Sequence, residues 1–154
     1  SFTVNFQLDY KNKIIGKQKN EINFHTDNLD EIMSSRTFCL HEDIEKIKKI
    51  GLAKGGSLEN AIVVGTDKIL NPEGLRNKKE FVNHKILDLA GDFVLSGYRI
   101  LGKVNCYQGG HKFTNMFLKK ILKSKSSISI NEMDEILITK NPSSDQQIKL
   151  AVNA

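Results

Sequence analysis

Apolar and polar residues alternate strictly at the start of the chain. In "FTVNFQLD" Phe2, Val4, Phe6 and Leu8 share one parity, the pattern of a half-buried strand. "KNKIIGKQKN" reads as a turn region around Gly16, and "EINFHT" as a second strand. Asp27 or Asn28 is placed to cap a short helix through "LDEIMSS". "SRTFCL" is a short apolar strand, "HEDIEKIKKIG" spaces Ile44, Ile47 and Ile50 helically before a Gly51 stop, and "AIVVG" is again a strand. Arg36 to Val64 is thus a compact strand–helix–strand unit. A long helix is predicted from about Lys78 to Leu95, stopping at Gly97. Its apolar face carries Val82, Ile86, Leu89 and Phe93, flanked by Leu87, Ala90 and Val94. "YRILGKVNCY" follows as a strand. Phe113, Met116, Phe117 and Ile121 then mark an amphipathic helix, and a polar tail holds one strand-like piece, "EILITK". The order predicts an α+β two-layer sandwich: a mainly antiparallel sheet on two long helices, with a strand–helix–strand insert at about 36–64.

Composition narrows the class. The 154 residues suffice for one well-packed domain, and no apolar run approaches the roughly 20 residues of a membrane helix. The formal charge is +5, yet lysines and acids are interspersed from end to end, without the aromatic interleaving of a single-strand binder. Nucleic acid is not an expected partner, and a small anionic ligand is compatible. Two cysteines, Cys39 and Cys106, make no disulfide framework, so a reduced, cytoplasmic setting is the default. The chain starts at Ser1 without a leader pattern, which suits a processed or truncated polypeptide.

The chemistry concentrates in "EFVNHKILDLAGD". His84, Asp88 and Asp92 are four residues apart, so they form one stripe on the long helix, with Lys85 beside it. A His and an Asp at i and i+4 can supply two of the three protein ligands that a catalytic zinc takes. The same spacing also makes an ordinary solvated ion pair. Third-ligand candidates within the chain are His25, His41, His111, Cys39 and Cys106. The first two read as surface residues and the thiols as small core residues. His111 follows Gly109 and Gly110 at a helix start, where the positive end of the helix disfavours imidazolium, so a protonated His111 needs a carboxylate. Asp92 is the candidate. The plainer alternative is a first-turn histidine with no further role.

Taken together, "SRTF", "DIEKIKKIGLAKGGSLENAIVVG", "LNPEGLRNKKEFVNHKILDLAGDFVLSGYRILG" and "GGHKFTNMFLKKIL" resemble the second half of the UDP-3-O-acyl-N-acetylglucosamine deacetylase family. The match is close from Ser34 to Leu122, weaker in the opening strands and absent after about Lys123. The resemblance implies a zinc-dependent enzyme of lipid A biosynthesis whose second domain is residues 1–122, with 123–154 as a tail. It implies His84 and Asp88 as zinc ligands. The third ligand and the general base, a Glu–His segment, would lie in a first domain absent here. It further implies His111 as general acid supported by Asp92, Thr37 as oxyanion contact, and Lys85 facing the substrate diphosphate. Phe6 is similar to the aromatic on which uracil stacks. The insert resembles an acyl-chain passage lined by Phe38, Leu40, Ile44, Gly56, Ser57 and Ala61. Cys39 stands where Gly is usual, and Leu40 where an aromatic is common. Without its first domain the chain is expected to be inactive and to self-associate. The rival reading is a non-catalytic nucleotide- or acyl-chain-binding domain.

Overall fold

The computed structural model describes residues 1–124, 126, 128–131, and the backbone of 137–138 and 148–149. Strand β1, Phe2–Asp9, lies at the centre of a three-stranded sheet. It pairs antiparallel with β2, Lys17–Asn23, and parallel with β5, Gly102–Tyr107. Its alternation works as the sequence predicts: Val4, Phe6 and Leu8 are buried on one face. Between β1 and β2 the chain turns at Gly16, whose φ of +56° suits glycine. β2 begins directly after it, four residues earlier than the apolar pattern of "EINFHT" suggests. Its pairing is set by the backbone ladder from Asp9↔Lys17 to Thr3↔Asn23, and its polar side chains give little signal.

Two helical crossovers bring in parallel pairing, so the three-stranded sheet is mixed and the second sheet parallel, rather than mainly antiparallel. β3, Thr37–Leu40, runs through a 3-10 turn, His41–Asp43, and helix α2, Ile44–Lys49, to β4, Ala61–Val64, which returns parallel to it. This is the insert predicted from Arg36 to Val64. Likewise α3, Glu80–Val94, carries the chain across the main sheet so that β5 enters parallel to β1. β5 starts only at Gly102, so Tyr98–Leu101 lie outside it. In the short helix α1, Asp30–Met33, Leu29 occupies the cap position. Asn28, one residue further out, accepts a hydrogen bond from the Asp30 N–H at 2.8 Å.

Helix α3 is the organising element. Phe81, Val82, Ile86, Leu89 and Phe93 are buried against β1, β2 and neighbouring elements. Val94, expected beside that face, is 73% exposed. Helix α4, His111–Lys123, packs along α3 through Thr114 and Leu118, with Ile121 half-buried beside the core. Phe113, Met116 and Phe117, which mark its amphipathic pattern, are exposed, because α4 lies on a helix and not over the sheet. The architecture is α+β. Of "EILITK", only the backbone of Leu137–Ile138 lies within the described residues, paired antiparallel with Ile148–Lys149.

Buried polar groups fix the joints. Asn71 accepts the Val63 N–H at 2.8 Å and donates to the carbonyls of Leu58 and Ala61 at 2.7 and 2.8 Å, holding the loop before β4. Asn83 accepts from Asn20 at 2.8 Å and donates to Asn77 at 3.1 Å, tying α3 to β2.

Candidate active site

The site is built where the segment entering β3 meets the first turns of α3. Arg36 and Glu80 are 4% and 0% exposed, and their charges meet: Arg36 Nε donates to Glu80 Oε1 at 2.9 Å. Arg36 also donates to Glu73 and, at 2.7 Å, to the Gly74 carbonyl. Glu80 takes the backbone N–H groups of Arg36 and Arg76 at 3.1 and 2.6 Å. Burial would raise the Glu80 carboxyl, but the Arg36 guanidinium and those N–H groups hold it below the usual carboxylate range. The pair fixes "SRTF" against α3. Sequence reasoning missed it, although Glu80 is one step of four before His84 and so extends the stripe by a turn.

Along the stripe, His84 Nε2 lies 3.2 Å from Asp88 Oδ1, and His84 Nδ1 lies 3.2 Å from the Ser35 carbonyl. Lys85 Nζ donates to the other Asp88 oxygen at 2.8 Å. Burial pushes Asp88 up, yet the hydrogen bonds from His84 and Lys85 outweigh it and hold the carboxyl at about 2. One turn on, the buried Asp92 receives His111 Nδ1 at 2.9 and 3.0 Å from its two oxygens. A carboxylate only accepts, so the shared proton sits on Nδ1. His111 Nε2 is 3.9 Å from Asp88 Oδ1, so both histidines converge on one carboxylate.

His111 reaches this place through the "GGH" turn. Gln108, at φ +53°, accepts the Asp9 N–H at 3.0 Å and pins the end of β5 to β1. A Cβ on Gly109 would lie 2.2 Å from Cys106 Sγ and 3.4 Å from the Phe6 ring, so only glycine fits. Cys106 and Cys39 are half-buried thiols whose pKa burial pushes up.

As a metal site, the stripe is a fitting half. The His84 nitrogen and the Asp88 oxygen already face each other, and the Ser35 carbonyl orients the ring from behind, as outer-sphere partners of metal-bound histidines do. Among the described residues, no three His, Cys, Asp or Glu side chains are grouped to hold a metal.

The insert encloses a cleft of about 660 Å³. Thr37, Phe38, Ile44, Gly56, Ser57 and Ala61 line it, joined by Cys39, Ile47, Leu58 and Val63, among others. Leu40 does not. The pleat puts Thr37, Cys39, Ala61 and Val63 on the cleft side, whereas Leu40 packs against the core beside buried Ile62 and Val64. Phe38 also leans coreward, its ring 5.0 Å from Phe81. Phe6 corrects another expectation. It is 1% exposed beneath the "GGH" turn, so its ring offers no face to a base. Lys85 points to Asp88.

The depressed Asp88 pKa has a pH signature. Its folded value lies below the ordinary 3.8, so its contribution is complete above that value and is lost as pH falls toward about 2. Denaturant midpoints between pH 5 and pH 2 are expected to show an acid loss of roughly 1–2 kcal/mol, solvent screening included, that Asp88→Asn lacks.

A sequence model of the LpxC family, UDP-3-O-acyl N-acetylglycosamine deacetylase, matches residues 1–123. The UDP-3-O-acyl-N-acetylglucosamine deacetylase of Campylobacter jejuni strain RM1221 is 41% identical over 133 residues, covering 86% of this chain and 45% of that protein. That of Psychrobacter cryohalolentis is 42% identical over 137 residues, 87% of this chain and 43% of that protein. The chain spans less than half the length of these relatives. With the family pattern running from β1 to the end of α4, the chain belongs to the UDP-3-O-acyl-N-acetylglucosamine deacetylase family.

Proposed function

We propose that this chain supplies the second half of a zinc-dependent deacetylase acting on UDP-3-O-acyl-N-acetylglucosamine, in lipid A biosynthesis. The observation that carries the reading is the convergence of two pairs, His84–Asp88 and His111–Asp92, on the Asp88 carboxylate. His84 and Asp88 would hold the metal. Zinc bound there would supply Lewis-acid polarisation of the acetyl carbonyl and a water acidified to a pKa of about 7. The third ligand and the general base would come from the part of the relatives' length that lies outside this chain.

The chain's own side chains have distinct roles in this reading. Asp92 holds the Nδ1 proton of His111, which leaves Nε2 to deliver a proton to the departing amine. Thr37, exposed on the cleft side of β3, offers its hydroxyl to the oxyanion. Lys85 would turn from Asp88 to the diphosphate. The cleft behind Thr37 would take the acyl chain, with Cys39 narrowing it. Lipid or nucleotide binding without chemistry is the second reading, favoured by a cleft lined by the insert beside a donor set that holds no third ligand among the described residues.

The chain alone is expected to hold zinc weakly and release no acetate. Mixed with the first half of the Campylobacter jejuni relative, it should release acetate from the substrate. In that assembly His84→Ala and Asp88→Ala lose metal and turnover together, whereas His111→Ala keeps the metal and loses turnover by about 10²–10⁴-fold. Equal metal loss in all three variants would contradict the division of roles, and no acetate from any mixture would favour the binding reading.

Large apolar side chains stand open on α4 and at the end of α3. Val94, Leu95 and Phe113 are 67–73% exposed, and Met116 and Phe117 are exposed as well. Where such side chains gather into a patch, it seldom stays solvated. Self-association of the chain, most simply as a two-fold dimer, is therefore expected in light scattering across a wide concentration range. A strict monomer at high concentration would contradict it.

A further inference from the structure

One peptide group stands between Glu80 and His84. The unit joining Ser35 to Arg36 gives its N–H to Glu80 Oε1 at 3.1 Å and turns its carbonyl to His84 Nδ1 at 3.2 Å. Glu80 and His84 are one turn apart on the same face of α3, and a trans peptide points its N–H and C=O in opposite directions, so a single plane spans the turn. The peptide is held from its flanks as well. Arg76 donates to the Ser34 carbonyl at 2.9 Å, and Ser35 Oγ donates to the Glu31 carbonyl at 2.5 Å.

We infer that Glu80 is a positioning residue for His84, acting through this peptide group. A buried carboxylate accepting from the N–H polarises the amide and strengthens its carbonyl as an acceptor. The carbonyl in turn holds the proton on His84 Nδ1 and leaves Nε2 as the nitrogen presented to the stripe. Carboxylate–histidine pairs at metal sites do this by direct contact. Here the contact is relayed by the backbone, which lets the carboxylate stay fully buried, away from the ligand position. Arg36 neutralises Glu80 through its guanidinium, 2.9 Å from Glu80 Oε1. The inference rests on the reading of His84 as a metal ligand.

The test uses the metal-free 154-residue chain and long-range proton–nitrogen NMR of the His84 ring. The native chain should show a proton on Nδ1 that exchanges slowly with solvent. Glu80→Gln keeps the shape and removes the charge. It should speed that exchange and raise the midpoint of a Zn²⁺ titration, each by about tenfold, the lower end of what lost outer-sphere contacts cost. Arg36→Lys deletes the guanidinium contacts but keeps the backbone N–H on Glu80. It should lower the denaturation midpoint and leave the His84 proton slow. A His84 proton unchanged in Glu80→Gln, or lost equally in Arg36→Lys, would overturn the relay and make the cluster merely structural. If no Zn²⁺ binds at any concentration, the ligand reading of His84 fails for this chain, and proton exchange still decides the relay.

Discussion

The buried pairing of Arg36 with Glu80 is the constraint on which the rest of the site depends. Two opposite charges in the interior are costly to desolvate, and their net contribution to stability is small or negative against an apolar packing. Their value is in specificity. Once both are buried, each must find the other, because leaving one alone costs about 3–5 kcal/mol. That requirement admits one docking of β3 on α3. It places Ser35 over His84, Thr37 at the mouth of the cleft, and the insert beside the stripe.

Two parallel crossovers then divide the labour. The smaller one, β3–α2–β4, has a two-sided strand pair: Ile62, Val64 and Leu40 lean on the core, leaving Thr37, Cys39, Ala61 and Val63 to face a cleft closed by α2 and the glycine loop. In the larger one α3 buries five apolar side chains and shows its stripe at the end of the sheet where β5 stops. The "GGH" turn starts there, so the same crossover that forms the sheet delivers His111 to Asp92.

Much of this was legible in the sequence because it follows from short periods. The alternation of β1, the limits of the Arg36–Val64 unit and the four-residue stripe are each local in pattern. Other features depended on contacts between distant segments. Arg36 and Glu80 are 44 residues apart, and nothing in either neighbourhood announces a partner. The polar β2 takes its limits from β1. The strand parity of Phe38 and Leu40 was readable, but which side faces the cleft is decided by where α2 and the sheet lie. The burial of Phe6 and the exposure of the apolar residues of α4 have different origins. Phe6 is covered by a turn that only Gly109 lets in so closely, and the α4 residues lie on a helix that meets α3 by a narrower face than its composition suggests.

The proposed function makes the stripe half of a metal site, with its donors on one helix. X-ray absorption at the zinc edge of the zinc-loaded chain tests it most directly. The expected result is a shell of nitrogen and oxygen only, at about 2.0–2.2 Å, with one imidazole and the remainder carboxylate or water. A sulfur at about 2.3 Å, from Cys39 or Cys106, would contradict it, and so would a shell without imidazole.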